Sequence, residues 1–248
     1  MRRFFIEEII AENDLCLIPE KEARHMIKVL RMKAGDLCAL INAKGEGFEA
    51  VIETASRKGV YARIIKPLPL KAPSPVQIEI CQAVLKPRMM DHMIEKTSEL
   101  GINRIQPYYS DRTVIKPDKD IGLNRQRHWR MIAQSALKQC GRAIPTDIKE
   151  PIDFKEMVMA VAQKKGVKIV LWEGEERSEL KTILRANGPA PDFTGIIGPE
   201  GGFTGQEVNL MMDAGITPVS VGTRILRAET AAIVLTAIVQ YEWGDLGL

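Results

Sequence analysis

Two glycine-bearing segments near the C-terminal end of this 248-residue chain carry residue types that could do chemistry. They are Ile197-Gly198-Pro199-Glu200-Gly201-Gly202-Phe203-Thr204 and Val221-Gly222-Thr223-Arg224-Ile225-Leu226-Arg227-Ala228-Glu229-Thr230. Each follows a short apolar run and leads into helical periodicity. Loops at the carboxyl ends of parallel strands lie side by side, so two such turns can close on one ligand. Glycine lets a ligand approach the backbone closely. The first segment has no Gly-Lys-Ser/Thr, so it is not a P-loop, and it is not the dinucleotide pattern G-x-G-x-x-G. Ile197, Ile225 and Leu226 suit an aromatic ring, while Glu200 and Glu229 repel phosphate and tolerate a cation. Together they suit an adenosine whose sugar carries a thioether or sulfonium tail. Taken alone, the Gly-Pro-Glu-Gly-Gly turn reads equally well as a tight strand-to-helix connection.

The elements that must position these turns follow from periodicity. Residues 76–248 alternate strand and helix signals, which implies an α/β domain with a parallel sheet covered on both faces. Strands are expected at Val76–Leu85, Ile105–Tyr109, Lys168–Trp172, Phe193–Ile197 and Pro218–Val221. Helices are expected at Arg88 to Leu100, Leu123 to Gln139, Phe154–Ala162 and Glu179–Arg185. Thr204-Gly205-Gln206-Glu207 reads as a capping box that opens a helix stopping at Gly215, and Ala228 to Trp243 is the final helix. Residues 1–66 read instead as short strands, Leu15–Ile18, Leu37–Ile41, Phe48–Ile52 and Val60–Ile65, with one helix from about Glu20 to Leu30. Asn42 to Gly47 carries hairpin chemistry. A small β-barrel with one helix fits this part. Between the two lies Lys66 to Pro75, whose four prolines make a stiff, extended linker. The expected domains are 1–70 and 76–248.

Composition narrows the function classes. The longest apolar stretch, Ala231 to Val239, is interrupted by Thr236 and is too short to span a bilayer. Arg2 and Arg3 meet Glu7 and Glu8 without the apolar core of a signal peptide, so a cytoplasmic protein is expected. Cys16, Cys38, Cys81 and Cys140 are scattered, and His25, His92 and His128 lack ligand spacing, so no metal site is expected. Net charge is only +3, but residues 101–142 hold Arg104, Arg112, Lys116, Lys119, Arg125, Arg127, Arg130, Lys138 and Arg142 against Asp111, Asp118 and Asp120. A basic segment on a nearly neutral chain suggests a polyanion surface, with a solvated helix face as the alternative.

The two glycine segments, with further motifs along the chain, resemble the SPOUT-class methyltransferases. Within that class the chain resembles the enzymes that methylate uridine N3 in bacterial small-subunit (16S) ribosomal RNA. The resemblance includes His25 to Arg31 with Gly35-Asp36, Lys86 to Asp91, Glu95 to Gly101, and Ser110-Asp111-Arg112. It continues through Arg127-His128-Trp129, Gln139 to Arg142, Gly198–Thr204 and Gly222–Ala231. It implies an N-terminal PUA-like β-barrel that grips RNA and a parallel-sheet domain with a C-terminal trefoil knot. It also implies S-adenosylmethionine as methyl donor and a homodimer.

Carried onto this chain, the donor site comprises Leu171, Trp172, Ile197, Gly198, Gly202, Val221, Gly222, Ile225, Leu226, Arg227, Thr230 and Ala231. Trp172 has an alternative reading as a core or dimer-interface aromatic. Methyl transfer to uracil N3 needs an in-line approach, loss of the N3 proton, and donors for the charge that develops on O2 and O4. Arg227 is the expected charge stabiliser, and Glu229 is expected to orient it or relay the proton. Arg2, Arg31, Arg88, Arg112, Arg125, Arg127 and Arg142 are the expected phosphate contacts. Three other readings stay open: a ribose 2′-O-methyltransferase of the same class, a non-catalytic RNA-binding assembly factor, and a nucleotide-dependent enzyme.

Overall fold

The structure is a computed structural model. It describes residues 1–247 except 7–10, 13, 43, 57–58, 71, 116–118 and 175–177, and without the side chains of 11, 12, 21 and 119–121. The charges read from Glu7, Glu8, Lys116, Asp118, Lys119 and Asp120 therefore lie outside the described residues or side chains. The chain divides into two compact units, Met1–Pro73 with Leu137–Pro145, and Ser74–Ala136 with Thr146–Leu248.

The first unit is a mixed six-stranded sheet. Its elements are β1 (Arg2–Ile6), β2 (Ala11–Glu12), β3 (Leu15–Ile18), α1 (Glu20–Arg24) running into a π-helical turn (His25–Val29), β4 (Leu37–Asn42), β5 (Gly47–Ser56) and β6 (Gly59–Leu68). The strand order is β1-β4-β5-β6-β3-β2, with β1 parallel to β4 and the other neighbours antiparallel. Phe4, Ile6, Ile18, Met26, Leu40, Ile52 and Val60 fill its core, with Ile27 and Leu30 packed against it. The β4–β5 hairpin turns where expected, and Asn42 Oδ1 accepts from the N–H groups of Lys44 and Glu46. Two expectations need correction. The helix from Glu20 widens into i→i+5 bonding after Arg24, with Leu30 N donating to His25 O. The proline-rich linker starts later than its composition suggests, because β6 continues through Pro67, which pairs with Phe48. Beyond Arg63 no β3 residue flanks β6 on its other side, so a proline there breaks no ladder bond.

The second unit is an α/β domain. After β7 (Gln77–Ala83) come α2 (Pro87–Glu99), β8 (Arg104–Tyr109), α3 (Lys119–Cys140), and the two-residue strands β9 (Asp147–Ile148) and β10 (Ile152–Asp153). Then follow α4 (Phe154–Ala162), β11 (Val167–Leu171), α5 (Leu180–Asn187), β12 (Asp192–Ile197), α6 (Gly205–Asp213), β13 (Thr217–Val219) and α7 (Ala228–Trp243). The strands run parallel in the order β10-β8-β7-β12-β11-β13, with β9 also on β8. Two apolar cores cover the two faces. Ile78, Ile80, Ile169 and Val219 meet Met90, Met93 and Ile94 of α2 and Ala232, Leu235 and Val239 of α7. Cys81, Ala83, Tyr108 and Ile196 meet Phe154 and Met157 of α4 and Val208 and Met211 of α6. Fully burying each such side chain contributes about 1.5–3 kcal/mol, so the face alternation of the strands determines which helix lies on which side. The N-termini of α4 and α6 both carry complete capping boxes, Asp153 with Glu156 and Thr204 with Glu207. No described helix is long and apolar enough to cross a membrane.

Candidate active site

Parallel pairing aligns the carboxyl ends of β11, β12 and β13: Leu171 sits opposite both Ile197 and Val219. The three segments that leave these strands therefore emerge together, and they line one cleft of about 710 Å³ in the second unit. Leu171, Trp172 and Glu173 form one wall, Ile197 to Phe203 a second, and Val219 to Glu229 with Ala231 a third, with Lys86 and Met89 from the start of α2. The structure thus brings together Leu171, Trp172, Ile197, Gly198, Gly202, Val221, Gly222, Ile225, Leu226, Arg227 and Ala231 from the donor site read in the sequence, together with Glu229. Thr230 is exposed in the first turn of α7 and is not part of the lining.

The 197–203 turn is held from both faces of the sheet. Tyr108, fully buried on the α4/α6 side, donates its hydroxyl to Ile197 O at 2.9 Å. Gln82 alternates to the opposite face, and its amide donates to Gly198 O at 3.3 Å and Ala83 O at 3.1 Å. Two consecutive carbonyls are thereby fixed. Burial pushes the Tyr108 phenol well above its usual range, so it remains a donor. Gln82 Oε1 is buried without a hydrogen-bond partner. An orphaned acceptor costs about 1–3 kcal/mol, which an apolar residue would avoid, so the amide's contribution here is placement of the turn. The outer half of the turn is braced by Arg112 Nη1 on Gly201 O at 3.0 Å and by Lys86 N on Glu200 Oε1 at 3.1 Å. Asp111 N and Thr204 N both donate to the Glu207 carboxylate, tying the next helix to the 110–113 turn.

Space and conformation explain the glycines. A Cβ on Gly198 would sit 3.0 Å from the Phe203 ring, and one on Gly202 would sit 2.8 Å from Glu173 Oε1. Gly202 also has φ +68°, where L side chains are strained. Trp172 is half-buried: its N–H donates to Val219 O at 3.2 Å, its ring lies against Gly174, and it packs on the α4/α6 core while lining the cleft. Both the contact and the core reading of this residue therefore have a physical basis.

The cleft has an apolar strip and charged ends. Leu171, Leu226 and Val221 are half-buried against the core, whereas Ile225 is 83% exposed at the rim. Lys86, Arg224 and Arg227 share the lining with Glu173, Glu200 and Glu229. Arg227 is the exposed N-cap of α7, and Glu229 is buried in its first turn, where the helix dipole favours an anion. Among the described residues neither side chain has a hydrogen bond or ion pair, and the two do not pair with each other. Glu173, which the motif reading of the sequence does not include, also lines the cleft; it is exposed and has no hydrogen bond or ion pair among the described residues.

The seven arginines read as phosphate contacts fall in both units. Arg2 donates to Leu30 O at 2.8 Å, Arg31 is exposed with φ +51°, and Arg142 is half-buried, all in the first unit. In the second, Arg88 and Arg127 are exposed, Arg125 is half-buried with Nη1 3.5 Å from Tyr109 Oη, and Arg112 braces the 197–203 turn.

Comparison with known proteins agrees with this geometry. Residues 72–240 match the model of an RNA methyltransferase domain, and residues 18–65 match an RNA methyltransferase PUA domain. A ribosomal RNA small subunit methyltransferase E from Rickettsia conorii is 30% identical, covering 96% of this chain and 93% of its own. The Neisseria gonorrhoeae protein of the same name, solved bound to S-adenosyl methionine, is 28% identical over 99% of both chains with a TM-score of 0.89. A Legionella pneumophila protein solved with bound SAM is 31% identical over 98% of both chains with a TM-score of 0.90. With more than half of its length matched by the domain model, the chain belongs to the RNA methyltransferase family.

Proposed function

We propose that this protein transfers a methyl group from S-adenosylmethionine to N3 of a uridine in small-subunit (16S) ribosomal RNA. The observation that carries this reading is the single cleft in which the turns after β11, β12 and β13 meet Arg227 and Glu229. Its residues fit the donor. Leu171, Ile197 and Leu226 offer an apolar surface to an adenine ring, the backbone at Gly222 is open to close approach, and unpartnered carboxylates accept positive charge. When bound, the donor supplies an electrophilic methyl group on a positively charged sulfur.

The chain's own residues do the rest. The uracil must be unpaired or flipped out, because N3 lies on the Watson–Crick edge. Arg227, with a guanidinium uncommitted among the described residues, stabilises the negative charge that grows on O2 and O4 as N3 loses its proton. Glu229 lies two residues on, at the helix start, and takes that proton or orients the arginine. The basic side chains Arg2, Arg31, Arg88, Arg125, Arg127 and Arg142 contribute sequence-blind phosphate contacts, and Arg112 acts through the turn it braces. Family membership supports the finer features of this reading: a PUA-like barrel in the first unit, a trefoil knot in the second, a homodimer, and action in the cytoplasm.

Arg227→Ala is expected to abolish transfer to the native ribosomal substrate while leaving the melting temperature unchanged; retained turnover would remove Arg227 from the mechanism. Mass spectrometry of digested ribosomal RNA locates the methyl group, and a ribose methyl would overturn the N3 assignment.

A further inference from the structure

We propose that Glu173 gives the cleft its charge selectivity, favouring the cationic methyl donor over the neutral by-product that remains after transfer. This rests on the methyl-transfer reading above. Six ionisable side chains line the cleft: Lys86, Arg224, Arg227, Glu173, Glu200 and Glu229. The three carboxylates are not equivalent. Glu200 accepts from the backbone N–H of Lys86. Glu229 is buried at the N-terminus of α7, where the helix dipole already favours its charge. Glu173 has neither form of compensation. It sits in the turn after β11, exposed, with no hydrogen bond or ion pair among the described residues.

Its carboxylate lies beside Gly202. The carboxylate Oε1 lies 2.8 Å from where a Cβ on Gly202 would be, so the oxygen occupies the room that this glycine leaves. The charge therefore lies along the backbone of the 198–203 turn and faces the cleft.

Methyl transfer changes the charge of the bound molecule at one atom. The carbon–sulfur bond breaks and its electron pair stays on sulfur. The methyl carbon bonds to N3 through the N3 pair, and the N3 proton leaves to a carboxylate or water. The sulfonium becomes a thioether, while the adenosine and amino-acid ends are unchanged. The six side chains carry three charges of each sign, so the cleft is balanced with Glu173 present and has one excess positive charge without it. A cleft with low-dielectric walls focuses such a difference onto its ligand even without direct contact. Solvent screening of the exposed Glu173 keeps the effect moderate.

The test is calorimetric titration of the full chain and of Glu173→Gln with S-adenosylmethionine, S-adenosylhomocysteine and sinefungin, whose amine carries a positive charge in place of the sulfonium. The variant is expected to lose about tenfold in affinity for S-adenosylmethionine and sinefungin, equivalent to ~1.4 kcal/mol, with S-adenosylhomocysteine changed less than about twofold. Equal losses for all three ligands, or no change for any, would overturn the inference. Glu173→Ala repeats the test should the amide itself make a new contact. Absence of binding of all three to the unaltered protein would overturn the methyltransferase reading itself, and this inference with it.

Discussion

The two-sided grip on the 197–203 turn separates stability from donor binding, and a pair of near-isosteric substitutions tests it. Tyr108→Phe removes only the hydroxyl that reaches Ile197 O at 2.9 Å. The ring stays packed among Cys81, Phe154 and Ile196, so no cavity opens. What is lost is one donor to a buried carbonyl, about 1–3 kcal/mol. For a chain of this size ~2 kcal/mol corresponds to a fall of about 4–8 °C in melting temperature. Gln82→Met has the opposite balance. It removes the donations to Gly198 O and Ala83 O, but it also removes an acceptor that has no partner. These terms offset, and the melting temperature should move by no more than about 2 °C. Both variants free one carbonyl of the turn, so both should weaken S-adenosylmethionine binding, by about tenfold each. Differential scanning fluorimetry and calorimetric titration read the two quantities. Unchanged donor affinity in Gln82→Met would refute the idea that this amide is retained to place the turn. A melting temperature for Tyr108→Phe equal to that of the unaltered protein would refute the energetic account of the hydroxyl.

Two further outcomes follow from the same region. Gly195→Ala would place a Cβ 2.5 Å from Leu235 Cδ2 and 3.0 Å from Ile80 Cδ1, pushing α7 off β12; overpacking of this kind costs about 1–3 kcal/mol, and because α7 carries Arg227 at its N-cap and Glu229 in its first turn, thermal melts and turnover should fall together. Stability should also decline at alkaline pH. The Tyr108 phenol is raised by burial, so above a pH of about 10 the unfolded chain releases a proton that the folded chain keeps; stability is then full below that pH and lost above it. Alkaline denaturation curves of Tyr108→Phe should lose this component, and identical curves for the two proteins would count against it.

Where local pattern and tertiary packing agreed, the sequence was a sufficient guide. Met90, Met93, Ile94 and Thr97 share one helical face, and all four are buried in α2. The Thr204 capping box and the Ala228 to Trp243 helix stand where the residues place them. Elements defined by distant partners were not legible. Arg2–Ile6 carries two arginines and no alternation, and it becomes a strand because β4, more than thirty residues away, offers it a parallel edge. The π-helical turn after Arg24 escaped because apolar spacing cannot distinguish i→i+4 from i→i+5 bonding over so few residues. Tyr108 and Gln82 read as ordinary strand residues, since their role depends on β12 lying next to β7.

Glu173 and Thr230 show the same limit at the cleft. Glu173 belongs to no motif, yet the structure sets it in the lining beside Gly202. Thr230 lies within a specific motif yet falls outside the lining. Successive helical residues rotate by about 100°, so Ala228, Glu229 and Ala231 lie within roughly 160° of arc while Thr230 points from the opposite side. The lining of Ala228, Glu229 and Ala231 follows this rotation, with Ala231 8% and Glu229 7% exposed and Thr230 open to solvent. A motif identifies the stretch of chain that matters, but the helical phase decides which of its side chains can touch a ligand. At the start of α7 that phase turns Glu229 rather than Thr230 to the cleft.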